Sequence, residues 1–270
     1  DQGENLRILI RGGGDLASGA VLRMRRAGWH VLVVELAEPR AVRRAVSFAQ
    51  AVYSGEVYVE DIAARLVTSE AEIETALASG VVPVMVDPLA EIRENFAPHV
   101  LVDGRMRKMR PELRKDAAPL VVGLGPGFVA GEDCHAVVET NRGPFLGRVY
   151  WHGTAQEDTG IPEGVGGARE ERVLRSPGSG VFRPAAGIGQ FVTRGQTVAW
   201  VENAAIIAPF DGILRGLLQG GLIVQEHEKV GDLDPRGDPR LCRLVSDKAL
   251  AVGGGVVEAV LTWRAMKGSE

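Results

Sequence analysis

The sequence predicts an α/β fold: a parallel sheet with helices on both faces, joined to a smaller β-rich domain. Three observations predict it. Apolar, strand-like runs alternate with helix-like segments through the first half. A bare glycine turn, "RGGGDLA", joins the first such run to the first helical pattern. From Arg172 the helical period disappears, and short β-rich runs lie between glycines and prolines until Ser246. At 270 residues the chain has room for one large domain or two ordinary ones.

Taken in order, Leu6–Ile10 reads as a short buried strand and Leu16–Ala27 as a helix with its charges on one face. His30–Glu35 is a second strand, and Pro39 is placed to open a helix carrying Arg40, Arg43 and Arg44. Glu70–Ala78 reads as a helix ended by Gly80, followed by a strand over Val81–Val86. Asp87 and Pro88 suit the cap and first turn of another helix. "HVLVD" and "PLVVGLG" supply further strands. At the far end, Ser246 caps a helix with Asp247 in its first turn. Gly253–Gly255 would each cost about 1 kcal/mol inside that helix, which predicts a close approach to another backbone. The domains are expected at 1–168, 169–245 and 246–270, the last packing back on the first.

The β-rich region contains an internal repeat. Ser176–Val201 lies on Ala208–Leu233 at a constant offset of 32 without gaps, matching Gly180 with Gly212, Arg183 with Arg215 and Gly189 with Gly221. Val192 meets Val224, and Val198 meets Val230. Two units this small cannot each bury an apolar face, so they should pair. The repeat resembles the biotinyl/lipoyl hammerhead module. That family carries its modified lysine on the tip joining the halves, whereas Glu202–Ile207 here has none. Covalent biotin or lipoate is therefore not expected.

The chemistry centres on the first glycine turn. Gly12-x-Gly14-x-x-Ala17 between a strand and a helix is the pattern of a Rossmann-like nucleotide-binding turn. Bare glycines let amides approach a phosphate, and the helix dipole favours the anion. Glu35 ends the second strand 21 residues after Gly14, where an acidic side chain reaches a ribose hydroxyl. The expected cofactor-binding residues are Gly12, Gly13, Gly14, Asp15, Leu16 and Glu35. Asp15 opposes an anion by its charge while stabilising the helix end. The "GGGD-x-A" turn nevertheless looks like that of siroheme-synthesis dehydrogenases. NAD(P) and molybdopterin cofactor are the candidate ligands.

Other features weigh less. "GLGPGF" (Gly123–Phe128) loses an amide donor to Pro126 and reads as a close-passing loop. Cys134 beside His135 is a secondary catalytic candidate, although strand neighbours point to opposite faces and a buried, inert thiol is the commoner case. "GRMRKMRPELRK" (Gly104–Lys115) sets six Lys or Arg against one Glu, which suits an anionic ligand or simply a solvated loop. No metal-ligand pattern is visible. A net charge of −4 argues against nucleic acid, and no run of apolar residues is long enough for a membrane span. The polar N-terminus has no signal-peptide core, and the two cysteines are read as free thiols in a cytoplasmic protein.

The segments "IRGGGDLASGAVLRMRRAG", "VVELAEPRAVRRAVSFAQAVYSGEV", "VDGRMRK", "AGEDCHAVVETNRG", "LGRVYW" and "SDKALAVGGGVVEA" together resemble the YqeB-type accessory proteins of selenium-dependent molybdenum hydroxylase systems. The resemblance implies a maturation factor that carries a phosphate-bearing cofactor and docks on the apo-hydroxylase. Two alternatives follow from the residues: an NAD(P)-dependent oxidoreductase, and a non-catalytic binding scaffold. Homo-oligomerisation is left open.

Overall fold

Ile8, Leu9 and Ile10 of strand β1 (Arg7–Arg11) are wholly buried, which requires a covered, central position in a sheet. In the computed structural model, which describes residues 5–106, 111–157 and 170–268, β1 lies between two parallel neighbours. Helix α1 (Asp15–Arg26) returns the chain to β2 (His30–Glu35) on one side. A one-turn helix, α2 (Ala51–Ser54), precedes a hairpin of β3 (Glu56–Val59) and β4 (Ile62–Val67). Helix α3 (Glu70–Ala78) begins where Ser69 accepts the Glu72 N–H, while Glu72 reaches back to the Thr68 N–H at 2.6 Å. Strand β5 (Val82–Val86), the short α4 (Arg93–Phe96), β6 (Val100–Asp103), β7 (Leu120–Leu124), β8 (Ala136–Val138) and β9 (Val149–Tyr150) follow. The nine strands run in the order β3-β4-β5-β2-β1-β6-β7-β8-β9, antiparallel at the β3–β4 and β8–β9 edges and parallel between.

Eight further strands form two four-stranded sheets. They are β10 (Val173–Arg175), β11 (Gly180–Pro184), β12 (Phe191–Val192), β13 (Thr197–Val201), β14 (Ala204–Ile207), β15 (Gly212–Leu217), β16 (Ile223–Val224) and β17 (Lys229–Asp234). The repeat is visible here: β15, β16 and β17 begin 32 residues after β11, β12 and β13. Each half lends a strand to the other, since β12 pairs with β15 and β16 with β11. Equivalent residues meet in one core, Phe182 with Leu214, Val192 with Val224, Val198 with Val230 and Val201 with Leu233. Gly189 and Gly221 share a left-handed backbone, at φ 91° and 89°.

Helix α5 (Asp247–Lys267) is continuous through its three glycines. A Cβ on Gly253 would lie 2.4 Å from the Gly19 carbonyl oxygen, and one on Gly19 would lie 2.2 Å from that of Ala249. Helices α1 and α5 therefore touch backbone to backbone. A Cβ on Gly255 would lie 2.3 Å from the Gly147 oxygen, whereas Gly254 meets nothing within 4 Å.

Two compact units result: Asp1–Pro39 with Ser47–Asp158 and Val245–Glu270, and Arg40–Val46 with Thr159–Leu244. The expected fold class, a Rossmann-like parallel sheet plus a biotinyl/lipoyl-like hammerhead, is corrected by these findings. The large sheet is mixed and antiparallel at both edges, and the second unit holds two separate antiparallel sheets together with a segment from between β2 and β3 that joins neither. That segment also replaces the helix expected after Pro39. Its polar groups are engaged elsewhere in the second unit: the Leu217 N–H donates to the Val42 carbonyl at 2.9 Å, Arg44 Nε donates to the Leu217 carbonyl at 2.7 Å, and Arg40 pairs with Glu228 at 2.7 Å. Arg43 donates to the Leu241 and Leu244 carbonyls, so these arginines are neither a helix face nor simply solvated. Asp87 likewise does not cap α4. Its carboxylate accepts the Ile92 N–H inside a run of turns.

Candidate functional site

The turn after β1 sits at the carboxyl ends of the parallel strands, where β2 continues the chain to one side and β6 resumes it on the other. Open α/β sheets offer their ligand crevices at such reversals. The three glycines of this turn differ in what they do. Gly12 has φ 91° and donates its N–H to the Val34 carbonyl at 2.8 Å; a Cβ there would come within 3.0 Å of Arg105 Cγ. Gly13 is packed by Ala49, whose amide nitrogen would lie 2.8 Å from an added Cβ and donates to the Gly13 carbonyl. The Ser18 hydroxyl also donates to that carbonyl, at 3.1 Å, and accepts the Phe48 N–H.

Gly14 has no such duties. Its backbone (φ −63°, ψ 171°) suits any residue, and nothing lies within 4 Å of where a Cβ would stand. It is the N-cap of α1 and brings no side chain to cap the helix, so the first-turn amides lack the partner a Ser or Asp would give. Asp15 and Leu16, both half-buried, begin that turn. Glu35, at the end of β2, accepts the Gly13 N–H through Oε2 at 2.7 Å and the Leu36 N–H through Oε1 at 2.8 Å. The structure thus brings Gly12–Leu16 and Glu35 together.

A charged cluster adjoins the turn. Arg11 ends β1 in register with Asp103, which ends β6. Its side chain, 3% exposed, donates from Nη2 to the Pro88 carbonyl at 2.8 Å and from Nη1 to Glu112 Oε2 at 3.1 Å. Arg105 grips both oxygens of Asp103, at 2.9 and 2.6 Å, and reaches Glu112 Oε2 at 2.8 Å. Hydrogen bonding from Arg105 is the main cause that holds the Glu112 carboxyl down at about 2. Burial lowers the Arg11 pKa, with the Arg105 charge adding to it. Burial also opposes the Arg105 charge, but its hydrogen bonds to Asp103 and Glu112 outweigh this and raise its pKa. The basic stretch 104–115 supplies Arg105 and Glu112 to this cluster, whereas Arg11 and Asp103 carry no sequence-level expectation of their own. The signal present was a charge closing each of two apolar strands, "RILIR" and "VLVD".

Of the remaining candidates among the described residues, only Arg105 and Glu112 of the basic stretch belong to this chemistry. Cys134 is wholly buried among Leu9, Leu101 and Val137, and burial pushes its thiol up to about 12. His135 accepts the Val121 N–H through Nδ1, and burial lowers its pKa. "GLGPGF" is a packed loop, with the Phe128 ring over Gly123 and Thr140 Oγ1 against Gly125. In the basic stretch 104–115, residues 107–110 lie outside the described residues. Arg114 pairs with Asp133 and Lys115 donates to the Gly131 carbonyl. Of the lysine-less tip Glu202–Ile207, only Glu202 and Asn203 form a turn, and Ala204–Ile207 is strand β14; Glu202 accepts the Val181 N–H. Among the described residues, no group of three or more His, Cys, Asp or Glu is placed to hold a metal ion, and no helix is long and apolar enough to cross a membrane.

No protein-family model matches the chain. It is 46% identical over 254 residues to the uncharacterized protein YqeB of Escherichia coli (strain K12), a match covering 94% of this chain and 47% of YqeB. The chain thus resembles YqeB over nearly its whole length and spans about half the length of that curated relative. Solved structures with a partial likeness include an aspartoacylase family protein from Mesorhizobium loti, 11% identical, with a TM-score of 0.26 and 86% of each chain covered. A succinylglutamate desuccinylase/aspartoacylase from Rhodobacter sphaeroides is also 11% identical, with a TM-score of 0.25 and the same coverage.

Proposed function

We propose that this chain binds a phosphate-bearing cofactor on the amides of Gly14–Leu16 and serves as an accessory protein in the maturation of selenium-dependent molybdenum hydroxylases. Gly14 is the observation that carries the ligand half of this reading. The backbone conformation of Gly12 and the packing of Gly13 call for glycine, but no contact or dihedral calls for it at position 14. A bare residue facing open space at an uncapped helix start fits a phosphate, whose oxygens would take the orphan N–H groups. The residues present therefore fit the terminal phosphate of a molybdopterin-type cofactor or the diphosphate of a dinucleotide. The hydroxylase half rests on the resemblance of the quoted segments to YqeB-type accessory proteins alone, since the YqeB that this chain matches is itself uncharacterized. In this reading the protein is cytoplasmic and hands its cofactor to the apo-hydroxylase.

Glu35 favours one further reading, a nucleotide cofactor of NAD(P) type in an oxidoreductase. Its two oxygens accept one amide each, and a carboxylate offers about four acceptor sites. Acceptor capacity for a ribose hydroxyl remains. A thermal-shift series with NAD(H), NADP(H), FAD and molybdopterin separates the readings. A binder at a hundred times its Kd adds about 2.7 kcal/mol of stability. A shift with molybdopterin alone supports the maturation reading, whereas a shift with NAD(P) accompanied by hydride transfer replaces it. No shift with any of them removes the ligand reading.

A further inference from the structure

Two guanidinium groups at the edge of the sheet share a single carboxylate oxygen. Arg11 Nη1 and Arg105 Nη2 both donate to Glu112 Oε2, at 3.1 and 2.8 Å. The two arginines are fixed in place. The Arg11 side chain is 3% exposed and tethered to the Pro88 carbonyl, and Arg105, 15% exposed, is clamped to Asp103. Glu112 is different, because its side chain is 48% exposed and it comes from outside the strands. One oxygen of a half-exposed carboxylate bridging two held guanidiniums has the geometry of a bound oxyanion.

The charge balance agrees. Among the described residues, Arg11 and Arg105 face Asp103 and Glu112, two positive charges against two negative. Moving Glu112 aside leaves Arg11 and Arg105 with only Asp103 as a carboxylate partner among the described residues, and an incoming anion would take the place of Glu112. The Arg11 Nε is also buried without a hydrogen-bond partner among the described residues, so the guanidinium retains unused donor capacity.

We propose that Arg11 and Arg105 form an oxyanion-binding site for a phosphate or carboxylate group, which the Glu112 carboxylate occupies as an internal surrogate and vacates when the anion binds. The site lies beside the glycine turn, since Arg105 packs on Gly12, but it requires no ligand on Gly14. No bond is made or broken. One carboxylate exchanges for another anion on the same two cations.

The test is isothermal titration of the full chain with inorganic pyrophosphate, using wild type, Glu112→Gln, and Glu112→Gln combined with Arg105→Gln or with Gly14→Val. Circular dichroism and unfolding curves check that each is folded. Removing the competing charge should tighten pyrophosphate binding roughly tenfold, the scale of one charge-assisted hydrogen bond. Adding Arg105→Gln should abolish that gain, and adding Gly14→Val should leave it intact. Glu112→Gln binding no tighter than wild type overturns the proposal. So does loss of the gain in the Gly14→Val background, which would put the anion on the turn instead. Failure of the Gly14 reading alone would leave the Glu112→Gln gain unchanged. Acetate run in parallel shows whether the pair takes carboxylates as well as phosphates.

Discussion

The Gly13 amide donates to Glu35 Oε2 at 2.7 Å, so the end of β2 is stapled to the turn that follows β1. The other oxygen of the same carboxylate takes the Leu36 amide at 2.8 Å. Replacing Glu35 with Ala leaves a buried glycine amide without its acceptor. Urea unfolding should show a loss of about 1–3 kcal/mol, the usual penalty for such an orphan. Glu35→Gln, which keeps an acceptor oxygen, should lose less. Equal stability of Glu35→Ala and wild type would contradict the staple.

Helices α1 and α5 meet through glycine, and two substitutions on one helix make a controlled pair. Gly253→Ala forces a methyl to 2.4 Å from the Gly19 carbonyl and should lose about 1–3 kcal/mol or more by overpacking. Gly254→Ala enters open space and should be neutral or stabilising by up to about 1 kcal/mol through helix propensity. Equal effects in the two variants would mean that the backbones do not touch there.

Glu112 gives stability a predictable acid dependence. Its folded carboxyl is held at about 2, below the ordinary 4.5, chiefly by Arg105. A depressed carboxyl stabilises above its unfolded pKa and loses that contribution as pH falls through the folded value. Wild type should therefore exceed Glu112→Gln by a constant margin above pH ~5, with the difference closing as pH falls further. Because the side chain is half-exposed, the margin should be only about 1 kcal/mol. A margin that widened with acid would reverse the assigned sign.

Both cysteines should be silent in the native protein. Cys134 has no exposed surface and its thiol is pushed up to about 12 by burial, while burial also raises the Cys242 thiol. Since the thiolate is the reactive species, a chromogenic disulfide at pH ~8 should label neither until urea unfolds the chain. A fast native thiol would return Cys134 to the list of reactive groups.

The parts legible in the sequence are those whose signals are local. The apolar run of β1, the glycine turn and the amphipathic α1 share one short stretch, and Ser246 and Asp247 announce α5 directly. The repeat was readable because a fixed offset needs no knowledge of the fold. The segment 40–46 was not, because Pro39 and three arginines look like a helix start until tertiary partners claim their polar groups. The β3–β4 hairpin turns through Glu60, which adopts φ 54° without the Gly or Asn that usually marks such a turn. The Arg11–Asp103 register and the Glu112 bridge join distant segments, so only the sheet reveals them.

The central claim is tested most directly at Gly14. Because its backbone suits any residue and its Cβ position is empty, Gly14→Val should fold, losing no more than about 1 kcal/mol for the poorer N-cap, while placing an isopropyl group over the α1 amides. The measurement is the thermal shift of wild type and Gly14→Val with whichever of molybdopterin or the dinucleotides stabilises the wild type. A clear shift is expected for wild type and its loss in Gly14→Val, each measured from that protein's own ligand-free Tm. An equal shift in both proteins would contradict the claim.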